Sequence, residues 1–253
     1  MTLVDGTLED FARDLEIALA QRHVVAAYQP QIDVLDGSMV GVEALARWTH
    51  PDRGAISPEV FVDIAQKAGL LPLLTARIIA DVTADYIAGS AIDIAVNVSA
   101  TQLEDPSLYD MFEGAFATGR CDPATLIVEV TESESIAHPE RVAGPLEALA
   151  AAGVTISVDD FGTGHSSFAR VEALHATELK LDKSLVQADE RVHEVAQIIT
   201  EAHQRGLRVV GEGVERRDQL DRLAAAGCDR AQGYWIAKPQ PAKDLISWYR
   251  NRA

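Results

Sequence analysis

Thr155-Ile156-Ser157-Val158-Asp159-Asp160-Phe161-Gly162-Thr163-Gly164-His165 carries an apolar strand into a glycine-interrupted loop and sets two adjacent carboxylates at the junction. Like charges side by side repel, so holding Asp159 and Asp160 there has a cost that a bound divalent cation would offset. A solvent-exposed turn accommodates Asp and Gly as well. The surrounding sequence decides between the two readings.

On both sides of this strand, strand and helix signals alternate. Strands read at Ile92 to Val98, Leu126 to Thr131, Thr155 to Asp159, Glu178 to Asp182, Arg208 to Glu212 and Ala231 to Trp235. Helices fit between them, one with Val192, Val195, Ile199 and Ala202 on a single face, and a last one from Ala242 to Arg250. Toward the N-terminus, Leu8, Phe11, Leu15 and Leu19 recur at helical spacing, predicting an amphipathic helix within residues 1–22 that leads into the rest. Val24 to Gln29 and Val40 to Ala44 read as strands joined through Asp36-Gly37, a hairpin signal that makes the first strand antiparallel to the second. Helical stretches follow around Pro58 to Ala68 and from Pro72 to about Ala88. Eight strands with intervening helices and no linker-like break predict an α/β fold spanning 1–253 as a single unit, a (β/α)8 barrel of the TIM type modified by an antiparallel first strand. An open doubly wound sheet has less support, because no glycine-rich dinucleotide fingerprint follows the first strand.

A net charge of -17 excludes a polymeric nucleic acid as partner, since a polyanion would be repelled, yet leaves room for a small phosphate ligand reached through cations. The two cysteines, Cys121 and Cys228, supply neither a disulfide framework nor a metal-binding pair. Met1 to Ala20 lacks the apolar core of a signal peptide, and no segment approaches the roughly 20 apolar residues of a membrane helix. A soluble cytoplasmic protein is the expectation.

Strand side chains alternate between faces, so parity sorts the polar residues. Asn97 lies opposite Ile94, Val96 and Val98; Glu129 opposite Leu126, Val128 and Val130; Asp159 opposite Ile156 and Val158. Lys180, Glu43 and Glu212 are likewise opposite their apolar neighbours. The helix-covered outside of a barrel takes the branched apolar residues. Glu43, Asn97, Glu129, Asp159, Lys180, Glu212 and Gln232 therefore point inward as one ring at the mouth, where barrel enzymes carry their chemistry. Oxygen donors with one amide suit hard cations such as Mg²⁺ or Mn²⁺, and Asp159-Asp160 can serve two neighbouring ions, an arrangement that catalyses phosphate-ester hydrolysis.

The motifs around these residues resemble the EAL family of cyclic di-GMP phosphodiesterases. Glu43-Ala44-Leu45-Ala46-Arg47-Trp48 is followed by His50-Pro51, Gly54 and Pro58, and preceded by Tyr28-Gln29-Pro30. Asn97-Val98-Ser99, Glu129-Val130-Thr131-Glu132, Asp159-Asp160-Phe161-Gly162-Thr163-Gly164, Leu179-Lys180-Leu181-Asp182, Glu212-Gly213-Val214-Glu215 and Gln232-Gly233-Tyr234 complete the set in order. The resemblance implies a barrel with an antiparallel first strand and two-metal hydrolysis of cyclic di-GMP to linear pGpG. It implies Glu43, Asn97, Glu129 and Asp159 as ligands of one Mg²⁺ or Mn²⁺ ion, and Asp159, Asp160 and Glu212 at the second. Lys180 would assist the attacking water. Gln29, Leu45, Arg47 and Gln232 would meet the substrate or position the site, and Glu132 would steady the loop after Asp160. A homodimer is a further implication.

Departures from the family pattern are His165 in place of a tyrosine, His175-Ala176-Thr177 in place of Pro-Val-Asp, and Gln66 in place of a glutamate. None is a metal ligand. A catalytically inactive cyclic di-GMP receptor is the alternative, although the ligand positions such proteins lose are all filled here. A Schiff-base aldolase using Lys180 fits the strand placement, but the surrounding carboxylates would keep the lysine protonated. Gly164-His165-Ser166-Ser167-Phe168 lacks the second glycine of a serine-hydrolase elbow, and neither an HExxH pattern nor a P-loop occurs.

Overall fold

Nine strands organise the described residues: β1 (Val24–Asp33), β2 (Met39–His50), β3 (Gly54–Ile56), β4 (Asp93–Val98), β5 (Leu126–Thr131), β6 (Thr155–Phe161), β7 (Glu178–Leu181), β8 (Arg208–Gly211) and β9 (Arg230–Gln232). The computed structural model describes residues 7–85, 92–105, 107–131, 139–163 and 167–250. The sheet runs β1-β9-β8-β7-β6-β5-β4-β2-β3, and an additional β1–β2 pairing closes eight of the strands into a barrel. β1 is antiparallel to both of its barrel neighbours, while the other neighbouring barrel pairs are parallel. The turn that reverses the chain after β1 is tied by its own aspartates. Asp33 accepts from the amides of Leu35 and Asp36, and Asp36 accepts from that of Ser38.

The parity argument holds up to the Asp159–Asp160 junction of β6, where the alternation breaks. Val42, Ala44, Ile94, Val96, Val98, Leu126, Val128, Val130, Ile156, Val158, Leu179 and Leu181 all belong to the main apolar cluster that lies under the helices. Ala95 and Ile127, of opposite parity, are buried but stand outside that cluster, in the barrel interior with Glu129 and Lys180. A second apolar cluster packs Phe11, Leu15, Ala18 and Leu19 of the N-terminal helix Leu8–Ala20 against Trp48, Phe61, Ile64 and Ala65. Thr7 starts that helix with a capping box closed by Asp10.

Several boundaries move. β2 continues beyond Ala44 to His50 and then hairpins onto β3, an element without the apolar run that marks a strand in sequence. The helix expected from Pro72 to Ala88 begins at Leu71 and is described to Asp85, the remainder lying outside the described residues. β9 stops at Gln232 because the chain turns there: the amide of Ile236 donates to the carbonyl of Gly233, and that of Trp235 to Val214. β6 does not end at Asp159. It runs on through Asp160 to Phe161, so Asp160, expected as the first loop residue, sits within an irregularity of the β6–β7 pairing.

Candidate active site

Lys180, from the middle of β7, is fully buried in the barrel interior. Its Nζ lies 2.6 Å from Glu212, 2.9 Å from Glu129, 3.4 Å from Asp159 and 3.5 Å from Glu43. Four strand-end carboxylates expected to share one face thus converge on one ammonium group. The registers are staggered: Asn97 pairs with Glu129, but Glu129 pairs with Ser157, and Asp159 stands one inward position further along, opposite Thr131.

Glu43 is the most firmly held of the four. Its Oε1 accepts from Asn97 Nδ2 at 2.8 Å and its Oε2 from Gln232 Nε2 at 2.6 Å. Gln232 Nε2 also reaches Gln29 Oε1 at 3.2 Å, and Gln29 Nε2 donates to the Ala237 carbonyl at 3.2 Å. Asn97 spends its amide hydrogens on Glu43, which leaves its carbonyl oxygen for another partner.

The Asp159–Asp160 junction is strained. Asp160 has φ of 61°, left-handed for a residue with a side chain, and its amide donates to Asp159 Oδ1 at 2.8 Å. Asp tolerates that region better than most residues, and such strain gathers at functional sites. Gly162 follows at φ 104° against Leu185, where a β-carbon would collide with the leucine side chain. That packing aims the two carboxylates: ligand atoms of Asp159, Asp160 and Glu212 all lie within 4.8 Å of one another.

Burial raises the Glu212 carboxyl to about 8, with Asp159 adding repulsion, and raises Asp160 to about 6, again with help from Asp159. Burial and the Glu43 charge push Glu129 well above the carboxylate range, and burial pushes Asp159 upward. Burial works against the charge on Lys180, yet Asp159, Glu129, Glu212 and Glu43 outweigh it and hold the ammonium well above its ordinary value. Burial also opposes ionisation of Glu43, but Lys180, Gln232 and Asn97 together leave it below the usual range. One lysine cannot neutralise this many carboxylates.

A cleft of about 510 Å³ opens beside the ring, lined on one side by Glu43, Asn97, Asp159 and Asp160. Leu45 and Arg47 line it too, and Pro58, Leu71, Leu74 and Ile78 make its apolar wall. Gln29 and Gln232 lie below this cleft, buried and hydrogen-bonded within the protein. Glu132 and His165 lie outside the described residues. His175 is exposed, with φ of 51°, and Gln66 is exposed on the helix Pro58–Lys67.

The sequence model of the EAL domain family matches residues 12–239. The chain belongs to the EAL domain family. It is 37% identical over 245 residues to the bifunctional diguanylate cyclase/cyclic di-GMP phosphodiesterase MucR of Pseudomonas aeruginosa, covering 92% of this chain and 36% of that protein. It is 34% identical over 258 residues to the cyclic di-GMP phosphodiesterase NbdA of the same organism, covering 98% of this chain and 33% of the relative. The chain thus spans about a third of the length of these curated relatives. The solved PaMucR phosphodiesterase in complex with c-di-GMP superimposes with a TM-score of 0.85 at 36% identity, over 93% of this chain and 99% of that one. The modified TIM barrel is therefore the fold of this EAL domain.

The EAL barrel's donor set fits a hard divalent cation. Among the described residues neither Glu129 carboxylate oxygen accepts a hydrogen bond although both are buried, and Oε1 lies 2.9 Å from the Lys180 ammonium. Excess buried negative charge with unengaged oxygens is what a cation satisfies. Residues that the sequence reading passed over include Gln31, fully buried behind Gln232, and the Thr75–Gln102 pair of the cleft wall, bonded at 2.8 Å. Gln31 shares strand parity with Gln29, which places it on the inward face but does not mark it as functional.

Proposed function

We propose that this EAL barrel hydrolyses one phosphodiester bond of cyclic di-GMP to give linear pGpG, with two Mg²⁺ or Mn²⁺ ions as cofactors. The observation that carries the reading is the convergence of Glu43, Glu129, Asp159 and Glu212 on Lys180 at the edge of an open cleft. Relatives and a solved neighbour whose names carry this activity and ligand support it.

Glu43, Asn97, Glu129 and Asp159 are the proposed holders of one ion, and Asp159, Asp160 and Glu212 of the second. Such ions supply Lewis acidity, offsetting phosphate charge and acidifying water. Lys180 opposes the rise that burial imposes on its carboxylate neighbours and orients the attacking water. The water oxygen bonds to phosphorus as the bond to the ribose oxygen breaks, and that oxygen ends protonated. Gln29 and Gln232 fix Glu43, and Arg47 at the cleft wall meets a phosphate, with Leu45 beside it. Glu132 retains its proposed role in steadying the loop after Asp160. A substrate with two phosphate charges does not cross membranes unaided, so the proposed setting is the cytoplasm; no described helix is long and apolar enough to cross a membrane. A homodimer belongs to the same proposal, and light scattering at micromolar concentration tests it.

Incubation with cyclic di-GMP and Mg²⁺ or Mn²⁺, followed by chromatography of the nucleotides, should yield pGpG. Tight binding with no pGpG under any of several metals would replace the enzyme with a receptor.

A further inference from the structure

Beneath the ring, β1 sends a second glutamine into the barrel. Gln31 is fully buried, paired in register with Gly41 on β2 and Gln232 on β9. Its Nε2 donates to Gln232 Oε1 at 3.1 Å, and Gln232 Nε2 donates in turn to Glu43 Oε2 at 2.6 Å. A carboxylate only accepts, so Glu43 obliges Gln232 to turn its NH₂ group upward and its carbonyl down. Gln31 must answer with its own NH₂, which points its carbonyl oxygen toward the barrel floor.

At the floor that oxygen faces the same small space as a guanidinium nitrogen, without a hydrogen bond to it. Gln31 Oε1 lies 3.1 Å, and Arg230 Nη1 3.3 Å, from the point a β-carbon on Gly41 would occupy, so the two flank one small space. Neither atom has a hydrogen-bond partner among the described residues. Asp93 fixes the Arg230 guanidinium at 2.6 Å and also lies 3.3 Å from Arg208, whose Nε is 2.6 Å from the buried Glu178. A guanidinium favours an oxygen facing it over an NH₂ group. The two amides therefore stand between a carboxylate above and a guanidinium below, and only one orientation of each suits both ends. Gly41 leaves the room this requires.

We propose that Gln31 is a positioning residue for Glu43, acting through Gln232 in a directional amide relay whose far end faces the Arg230 guanidinium. The inference rests on the reading of Glu43 as a cation ligand. Groups that orient ligands govern affinity, and their loss weakens metal binding about 10- to 100-fold.

Mn²⁺ titration of the whole chain by calorimetry and by the electron paramagnetic resonance of free Mn²⁺ tests it. Gln31→Met, which keeps the volume and removes the amide, should weaken Mn²⁺ binding about tenfold. Gln232→Met should do at least as much, and the double variant should be no weaker than Gln232→Met alone, because members of one relay are not additive. Gln31→Glu should bind more weakly than Gln31→Met, since an acceptor there turns the Gln232 carbonyl onto Glu43. Melting in EDTA separates the roles: a packing defect lowers the metal-free midpoint and leaves the Mn²⁺-induced rise intact, whereas the relay predicts a smaller rise. Wild-type Mn²⁺ affinity in Gln31→Met, or additive losses in the double variant, overturns the relay. If Gln31→Met does not fold, Gly41→Ala decides in the same way, by displacing Gln31 Oε1: weakened binding supports the relay and unchanged binding overturns it. Absence of Mn²⁺ binding in the wild type would instead remove the cation reading of Glu43, and the relay with it.

Discussion

Replacing Lys180 by methionine would take its ammonium out of the carboxylate ring while keeping most of its volume. At about 3 Å and an effective dielectric of about 20, each ion pair to Lys180 has a Coulomb energy of roughly 5 kcal/mol before desolvation and mutual repulsion are subtracted. Removing one partner from a buried ionic group costs about 3–5 kcal/mol net. For a chain of this size, about 2–4 °C is lost per kcal/mol, so the metal-free variant should melt on the order of 10 °C lower near pH 8. The loss should depend on pH in a definite direction. Without Lys180, the carboxyls of Glu129, Asp159 and Glu212, already raised by burial, rise further above their unfolded values. Groups with raised folded pKa values stabilise fully below their unfolded pKa and lose that contribution as pH climbs toward the folded one. The penalty should thus be small near pH 5 and grow toward pH 8.

Magnesium separates the electrostatic role of the lysine from its chemical one. The variant's site is one positive charge poorer, so Mg²⁺ should raise its melting midpoint by more than it raises that of the wild type. Hydrolysis should stay about 100-fold down, the scale of a misplaced reacting group, because nothing then orients the attacking water. The assay is calorimetric melting in EDTA and in Mg²⁺ at pH 5, 6.5 and 8, with turnover measured in parallel. A metal-free midpoint within about 2 °C of wild type at pH 8, or a deficit independent of pH, would refute the charge accounting.

Glu43→Ala or Asp159→Ala should abolish pGpG formation while circular dichroism stays native; wild-type-like turnover in either would remove that residue from the site. Cation binding requires ionised carboxylates, and Glu212 stands at about 8 and Asp160 at about 6. Mn²⁺ affinity should therefore fall by about tenfold per pH unit below 8 while one proton is displaced, and a flat calorimetric profile from pH 8.5 to 6.5 would contradict this. Gly162→Ala should destabilise the fold by about 1–3 kcal/mol through its left-handed backbone and its collision with Leu185, measurable by urea unfolding. Ca²⁺ should inhibit in competition with Mg²⁺, because its larger and less regular shell holds water in poorer geometry; turnover equal to that in Mg²⁺ would count against ligand geometry as a control.

The barrel and the inward ring were legible because a strand has only two faces. Once Val158 is assigned to the outside, Asp159 has nowhere to go but in, and the same step places Glu129, Asn97 and Lys180. Two-fold alternation fails where the backbone breaks it. At Asp160 the φ of 61° interrupts the β6–β7 ladder, so a residue that reads as loop remains in the strand with its carboxylate turned to Glu212. The cleft's apolar wall was illegible for another reason. Leu71 and Leu74 belong to a helix whose packing against β1, β2 and β4 is set by tertiary contacts that no local pattern encodes.

Gln31 falls between these cases, and shows what parity omits. The rule puts Gln29 and Gln31 on one face, but an uncharged amide in a strand carries no sign of its own and looks like ordinary filler. Its meaning comes from the charges at either end, Glu43 from β2 and Arg230 from β9, each distant in sequence. A glycine at position 41 is the remaining trace, since any side chain there would press on Gln31 Oε1 and the Asp93 carbonyl at 3.1 and 3.3 Å. A carboxylate-rich site must hold each ligand oxygen against its neighbours' repulsion. Charge from Lys180 does this without direction, whereas a hydrogen-bonded amide fixed from below does it with direction. Glu43, with an amide donor on each oxygen, is held below its ordinary range against the cost of burial by the Lys180 charge first and by Gln232 and Asn97 after it.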